Sequence, residues 1–167
     1  MTRGTDEAFE GWVIQHRARL HRAAFLLCGS WSVGDDLVQE ALIRCYPRWD
    51  RITRHGDDPY AYVRKTVVRL AVDHRRRLTS RREFPVAVVP DAAQREGPEL
   101  GEVWDALRGM PAGQRAVVVL RYWEGLSVAE TATCVGKSEG NVKSQASRGL
   151  EALRKALTST SETKEML

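Results

Sequence analysis

Cationic side chains are the most concentrated functional groups in this sequence, and they cluster between residues 60 and 82. Asp73 is the single acidic residue of that stretch, so the stretch carries a strong positive charge. Guanidinium groups beside aromatic rings suit single-stranded nucleic acid, because the charges bind phosphates while the rings stack on exposed bases. The alternative is a solvated basic face, which this density of charge makes the weaker interpretation. The residues concerned are Trp49, Tyr60, Tyr62, Arg64, Lys65, Arg69, Arg75, Arg76, Arg77, Arg81 and Arg82.

A second group of polar side chains lies in residues 126–157, which contain two predicted helices. Ser127 and Glu130 form a capping box for the first helix, Gly136 suits the turn, and Ser138 caps the second. The buried stripe of the second helix is predicted at Val142, Ala146, Leu150, Leu153 and Leu157. Its polar face would carry Glu139, Asn141, Lys143, Ser144, Gln145, Ser147 and Arg148. We interpret this pattern as a helix-turn-helix that enters a major groove, in preference to an ordinary helical hairpin.

A third set of side chains is acidic and amide-bearing. The sequence predicts a helix over residues 32–46, with Ser32 and Asp35 as its capping box and Pro47 after its end. One side would bury Leu37, Val38, Ala41, Leu42 and Cys45, and the other would expose Asp35, Asp36, Gln39 and Glu40. Carboxylates near a helix start are stabilised by the helix dipole. The residues alone therefore leave helix capping and a protein interface as open alternatives.

The elements that position these groups are all predicted to be helical. A helix over residues 6–27 precedes the acidic one, residues 48–59 form a loop, and Pro59 begins the basic helix. Residues 83–98 contain three prolines and predict a flexible linker rather than a short strand. Helices over residues 99–108 and 114–123 follow, although the VVV run of the latter also fits a strand. The fold class is all-α, with two small helical domains (residues 6–82 and 99–157) and a disordered tail (residues 158–167).

Composition excludes several classes of function. The chain is 43% hydrophobic and 29% charged, which is typical of a folded protein, and its net charge of +4 permits a polyanionic partner. We expect no membrane insertion and a cytoplasmic location, because no apolar run approaches the roughly twenty residues of a membrane span and no signal peptide is present. The three cysteines and four histidines do not combine at metal-ligand spacing. Without a phosphate-binding loop or a catalytic triad, we expect neither an enzyme nor a cofactor.

Three segments in one order resemble a known family: SVGDDLVQEALIRCY, DPYAYVRKTVVRLAVDHRRR and GNVKSQASRGLEALRK. With the linker between them, they closely resemble the extracytoplasmic-function class of bacterial sigma factors, and within it the actinobacterial SigE-like group. The resemblance covers about residues 9–157. It implies that residues 6–82 are sigma domain 2 and residues 99–157 are sigma domain 4.

The resemblance implies a non-enzymatic factor that directs core RNA polymerase to promoters. The implied partners are the polymerase (its largest-subunit clamp helices and its flap), promoter DNA and a possible anti-sigma factor. Core-polymerase binding is implied for Asp35, Asp36, Leu37, Gln39 and Glu40. Recognition and melting of the −10 element is implied for Trp49, Tyr62, Arg64, Lys65, Arg69, Asp73, His74, Arg75, Arg76 and Arg77. Recognition of the −35 element as duplex is implied for Ser138, Glu139, Asn141, Lys143, Ser144, Ser147 and Arg148.

The sequence departs from the family pattern at two places. Many relatives have Asn where this chain has Arg69, so the base contact that the resemblance implies does not carry over and a phosphate contact is the alternative there. Glu139 and Gly140 differ from the usual hydroxyl-rich start of the recognition helix, so the upstream specificity of relatives does not carry over.

Two rival functions are a helix-turn-helix regulator that recruits no polymerase and an enzyme with a DNA-binding tail. The first leaves the DDLVQE segment unexplained, and the second lacks a catalytic constellation.

Overall fold

The computed structural model describes residues 3–54, 56, 58–80 and 98–165, and these residues form helices and turns without a strand. The chain divides into two compact units, Met1–Pro85 and Val86–Leu167. The all-α, two-unit prediction is therefore confirmed. Most of the predicted linker and its alternative strand lie outside the described residues, so the exact domain boundaries stay predictions.

The N-terminal unit packs α1 (Arg3–Cys28), α2 (Trp31–Cys45) and α4 (Pro59–Ser80) around one core. Gly29, at φ 79°, turns the chain sharply from α1 into α2. Gly34 permits the two helices to approach, because a Cβ there would lie 3.4 Å from the Cβ of Ala24. The centre of this core consists of fully buried residues from all three helices: Leu20, Ala24, Phe25, Val38, Ala41, Val63 and Val67.

The start of α2 corrects one prediction. Ser30, and not Ser32, is the N-cap, since Ser30 has extended backbone angles and its hydroxyl accepts a hydrogen bond from Val33 N at 3.3 Å. The N-cap lies two residues earlier than predicted because Trp31 enters the first turn of the helix and stacks on Phe25, with ring centroids 4.5 Å apart. Burial of this aromatic pair fixes the helix start more strongly than the capping pattern does.

The predicted loop over residues 48–59 is also corrected. A 3₁₀ turn (Tyr46–Arg48) leads directly into a short helix, α3 (Trp49–Arg54). Trp49 and Ile52 face the core and are only 3% and 4% exposed. Pro47 therefore ends α2 without ending helical structure, since proline is tolerated at the first turn of a helix.

The C-terminal unit contains α5 (Pro98–Leu107), α6 (Ala112–Val118), α7 (Val128–Val135) and α8 (Glu139–Glu165). A π-helical segment, Val119–Trp123, continues α6, so the helix interpretation of the VVV run is confirmed. The α6–α8 and α7–α8 packing buries Val117, Ala132, Val142 and Ala146 together. Arg115 is buried with them, and its guanidinium lies 5.1 Å from the ring centroid of Trp104.

Helix α8 extends further than predicted. The sequence analysis ended the helix at Leu157 and assigned residues 158–167 to a disordered tail, whereas α8 continues through Glu165. Thr158 stays helical and donates a side-chain hydrogen bond to Arg154 O at 2.8 Å. The correction has a simple cause: residues 158–165 contain neither glycine nor proline, so nothing local breaks the helix.

Gly149 is a packing residue that the sequence analysis missed. It is buried where α8 crosses α6, and a Cβ at this position would lie 2.3 Å from Val118 Cγ2. We predict that Gly149→Ala lowers the free energy of unfolding by about 1–3 kcal/mol through overpacking. Chemical denaturation of the full chain measures this effect.

Gly140 provides the matched control on the same helix. It is exposed, and a Cβ there would meet no atom within 4 Å. Gly140→Ala should therefore stabilise the protein by roughly 0.5–1 kcal/mol through helix propensity alone. Equal effects of the two substitutions would contradict the close α6–α8 contact.

Candidate functional site

The acidic side of α2 is joined to α1 through one carboxylate. Asp35 Oδ1 accepts from Arg17 Nη2 at 3.1 Å and pairs with His21 Nε2 at 3.0 Å. Its second oxygen accepts from Gln39 Nε2 at 3.0 Å. The Asp35 side chain is one-third exposed. Asp35 therefore orients the neighbouring polar groups as well as presenting its own charge.

The outward face of α2 carries Asp36, Gln39 and Glu40, all exposed. Arg44 donates a hydrogen bond to Glu40 on this face. Leu37, which the family resemblance assigned to core-polymerase binding, is only 6% exposed and belongs to the helical core. The prediction that Leu37 contacts the polymerase directly is therefore corrected, because the periodicity of α2 places position 37 on the inward side of the helix.

Helix α4 presents some of its cations on one face. Asp58 caps the helix, with its Oδ1 accepting from Tyr60 N at 3.0 Å, and Pro59 occupies the first helical position. From there Tyr62, Lys65, Arg69, Asp73 and Arg76 recur at three- and four-residue steps, which places them on one side of the helix. Arg69, Asp73 and Arg76 are exposed, and Tyr62 and Lys65 are half-buried. The structure thus gathers half of the predicted −10 residues on one surface.

Other predicted −10 residues lie elsewhere. Arg64 is 9% exposed, and its guanidinium is 5.3 Å from the ring centroid of buried Tyr60, which Arg19 of α1 also covers at 4.2 Å. Arg64 therefore faces α1, so its assignment to the DNA-contacting face is corrected. Arg77 is exposed, and His74 and Arg75 are half-buried beside the main face.

Trp49 is the clearest departure from the predicted site. Its ring lies 4.9 Å from that of Phe9 and 5.0 Å from that of Trp12, measured between centroids. A side chain 3% exposed has no ring face on which a base could stack. The prediction that Trp49 contacts the melted strand is therefore wrong for this conformation, because α1 needs the indole to complete the core.

The capped start of the recognition helix is arranged as predicted, whereas the predicted buried stripe is incomplete: Leu150 and Leu153 are half-buried and Leu157 is exposed. Ser127 and Glu130 form a reciprocal capping box, with side-chain to backbone distances of 2.7 and 3.1 Å. Gly136 closes α7 in the left-handed conformation at φ 66°, and Ser138 Oγ accepts from Asn141 N at 3.1 Å. All seven residues predicted to recognise the −35 element are exposed: Ser138, Glu139, Asn141, Lys143, Ser144, Ser147 and Arg148. Val142 and Ala146 anchor the opposite side of the helix.

An open groove of about 590 Å³ runs beside the recognition helix. Arg121 and Tyr122 border it from the π-helical segment, and Lys143, Leu150 and Arg154 border it from α8. Arg121 Nη1 donates to Leu126 O and so fixes the turn before α7. The sequence analysis did not single out Arg121 and Tyr122, because a π-helical segment shifts which side chains face outward.

The ionisable side chains of Cys45, Tyr46 and Glu151 have shifted pKa values. Burial raises the pKa of the Cys45 thiol. A hydrogen bond donated to Asp6 at 2.7 Å raises the pKa of the Tyr46 phenol, and the Lys155 ammonium at 2.9 Å lowers the pKa of Glu151. Each shift has a structural cause, and none of the shifted groups lies among the predicted DNA contacts.

Among the described residues, no group of three His, Cys, Asp or Glu side chains could hold a metal ion, and no helix is long and apolar enough to span a membrane.

Comparison with known families defines the class. The family model for sigma-70 region 2 matches residues 12–81, and that for sigma-70 region 4 matches residues 100–153. These regions bind core RNA polymerase and promoter DNA, and sigma factors in general are not enzymes. The chain belongs to the extracytoplasmic-function sigma factors of the sigma-70 family and is SigE-like. It directs RNA polymerase to promoters.

The most informative relatives are sigma factors of similar length. The RNA polymerase sigma-E factor of Streptomyces avermitilis is 36% identical over 165 residues, covering 95% of this chain and 90% of the relative. That of Streptomyces coelicolor is 35% identical over 155 residues, with 89% and 85% covered. Both relatives span the two domains and the segment between them.

Two solved structures share the fold. The sigma factor RpoE from Bartonella quintana, in complex with the anti-sigma factor NepR, has a TM-score of 0.74 at 23% identity, covering 91% of this chain and 98% of that one. CnrH, in complex with the cytosolic domain of CnrY, has a TM-score of 0.66 at 23% identity, covering 92% and 90%. At this identity they support the fold alone.

Proposed function

We propose that this sigma factor recognises a promoter at two points. The recognition helix α8 binds the −35 element as duplex, and the cationic face of α4 holds the −10 element as a melted strand. The acidic face of α2 docks on the clamp helices of core polymerase, and the flap is a second contact. The observation that carries this proposal is the exposure of all seven predicted recognition residues on a capped helix, in a unit separate from the α4 face.

Promoter opening by this protein draws its free energy from binding. Contacts with the clamp helices anchor the factor on core polymerase, and contacts with the −35 duplex position it on the promoter. Capture of unstacked bases then offsets an opening cost of a few kcal/mol per extruded base. No nucleotide hydrolysis or cofactor enters this scheme, so the chain acts as a binding factor in the cytoplasm rather than as an enzyme. Arg69 and Arg76 supply phosphate contacts, and the half-buried Tyr62 supplies an aromatic ring for base stacking on the same face.

An anti-sigma factor is a further candidate partner. The support is the similarity of this fold to RpoE, whose solved structure contains the anti-sigma factor NepR. Such a partner would compete with core polymerase for the exposed faces of the two units. Copurification of the chain from its own host, with and without added core polymerase, tests this.

Lys143 gives the sharpest test of the duplex contact. We predict that Lys143→Ala in the assembled holoenzyme lowers promoter affinity and reduces the slope of log K against log salt by about 0.9, the value for one duplex phosphate. Holoenzyme binding to promoter fragments selected from genomic DNA, titrated with salt, measures both quantities.

Lys155 is the matched control, since it is an exposed lysine more than three turns further along the same helix. Lys155→Ala should leave both the affinity and the salt slope unchanged. If the two substitutions lower the slope equally, the charge of α8 as a whole attracts DNA and the recognition surface at its start is not confirmed.

A further inference from the structure

A serine hydroxyl lies at the end of the most basic helix of the chain, and the predicted DNA contacts do not include it. Ser80 is the last residue of α4, and it is exposed. The sequence RRRLTSRR surrounds it with five arginines, three before Leu78 and two directly after Ser80. A serine at a helix end is ordinary by itself. An exposed serine among arginines is the kind of substrate that a protein kinase with an acidic substrate groove selects.

Helical spacing places the Ser80 hydroxyl next to two of these arginines. Arg76 and Arg77 precede Ser80 by four and three residues, the separations at which side chains on one helix are neighbours. Both arginines are exposed, and Arg76 belongs to the cationic face of α4. A negatively charged group on Ser80 Oγ would therefore reach cations that are proposed to hold the melted strand.

We propose that Ser80 is a phosphorylation site, and that its phosphorylation weakens the binding of the melted strand by α4. The inference rests on the proposed function of the cationic face of α4. A serine/threonine protein kinase transfers the γ-phosphoryl group of ATP to Ser80 Oγ. The new bond joins Oγ to phosphorus, and the bond from that phosphorus to the β,γ-bridging oxygen breaks. The hydroxyl proton passes to a base of the kinase, and ADP leaves.

The phosphate would occupy the neighbouring arginines. A phosphoserine carries a charge of about −1.5 to −2 at pH 7 and has three strong acceptor oxygens. Arg76 and Arg77 can donate paired hydrogen bonds to it, which is the geometry that guanidinium groups prefer with phosphates. Because this phosphate is on the same chain, its effective concentration is high and it competes well with a DNA phosphate. The acidic face of α2 lies on another helix and keeps its charge.

The test compares the unmodified chain with the chain that carries phosphoserine at position 80, introduced during translation. In assembled holoenzyme, the phosphorylated chain should form open complexes about tenfold less well, while core-polymerase affinity stays within about twofold. The salt slope should fall by about 1.4, the value for two single-strand phosphate contacts. Permanganate footprinting at several salt concentrations measures both effects, and treatment with a phosphatase should reverse them.

Two glutamate variants separate local pairing from added charge. Ser80→Glu should lower open-complex yield about threefold, because a carboxylate carries less charge than a phosphate. Thr158→Glu is the matched control, since Thr158 is exposed on α8 and follows Arg154 and Lys155 by four and three residues. Its open-complex yield should equal that of the wild type. If the two variants are equally defective, the local effect at Ser80 is overturned.

The modification itself is tested with ATP and an arginine-directed serine/threonine kinase acting on the full chain. Mass spectrometry of the resulting peptides should locate the phosphate on Ser80. A phosphate on Thr79 alone, or on neither residue, would overturn the assignment of this site.

The double substitution Arg69→Ala with Arg76→Ala separates this proposal from the proposed function. If that variant opens promoters poorly while the chain with phosphoserine at position 80 opens them as well as the unmodified chain, the regulation is overturned and the cationic face of α4 stands. If neither protein is impaired, the proposed function of that face fails as well.

Discussion

Trp49→Ala is expected to lower the free energy of unfolding by about 3–5 kcal/mol, the range for truncating a buried aromatic residue. The indole is 3% exposed and contacts the rings of Phe9 and Trp12, which α1 contributes. Its removal would leave a cavity between α1 and α3. Promoter melting by this variant would fall only in proportion to the fraction of unfolded protein. Chemical denaturation, combined with open-complex yield per folded molecule, measures the two effects separately.

Tyr62→Ala is the matched aromatic control. Tyr62 is half-buried on the outward side of α4, where its ring can meet a base. The free energy of unfolding should change by less than about 1 kcal/mol. Open-complex yield should nevertheless fall, because base–aromatic stacking contributes about 1–3 kcal/mol per base. If Trp49→Ala kept the stability of the wild type but abolished melting, Trp49 would be a DNA contact and its buried position would not describe the bound state.

The double substitution Arg69→Ala with Arg76→Ala is expected to reduce open-complex formation at least about tenfold, while core-polymerase affinity stays within twofold. Both side chains are exposed on one face of α4, and neither belongs to the acidic face of α2 that is proposed to dock on core polymerase. Each lost single-strand phosphate contact should lower the salt slope by about 0.7, so the pair lowers it by about 1.4. Permanganate footprinting of the melted strand at several salt concentrations measures the effect.

The charge-conserving pair Arg69→Lys with Arg76→Lys is the control. Because lysine keeps the positive charge, most of the salt slope should return. If the alanine pair leaves the footprint unchanged, the cationic face of α4 does not hold the melted strand. If the lysine pair is as defective as the alanine pair, these arginines contact bases through their planar guanidinium groups rather than phosphates.

Local patterns in the sequence predicted the helix-turn-helix nearly completely. The capping box at Ser127 and Glu130, the left-handed Gly136 and the Ser138 cap are each formed by residues within four positions of one another. Such short-range signals need no knowledge of the tertiary fold. The acidic and cationic faces of α2 and α4 were predicted for the same reason, since helical periodicity alone separates outward from inward positions.

The errors of the sequence-based prediction arise where the residues that contact each other lie far apart in the sequence. Trp49 is buried by Phe9 and Trp12, some 40 residues earlier, and Arg64 lies over the Tyr60 ring that Arg19 of α1, more than 40 residues before Arg64, also covers. Gly149 is needed because Val118 of α6 approaches α8 at that point. No local pattern reports these neighbours, so composition suggested DNA contacts at Trp49 and Arg64 that packing removes. The resemblance to sigma factors assigned roles to whole segments and did not distinguish inward from outward residues within them.

Run-off transcription is the most direct measurement of promoter recognition by this chain. Purified core polymerase and a template selected from genomic DNA would be incubated with the protein, without it, and with the Lys143→Ala variant. We expect a discrete transcript only when the wild-type protein is present, and a weaker transcript from the variant. A transcript of equal strength without the protein, or no transcript although the protein co-elutes with core polymerase, would contradict the two-point recognition proposed for α4 and α8.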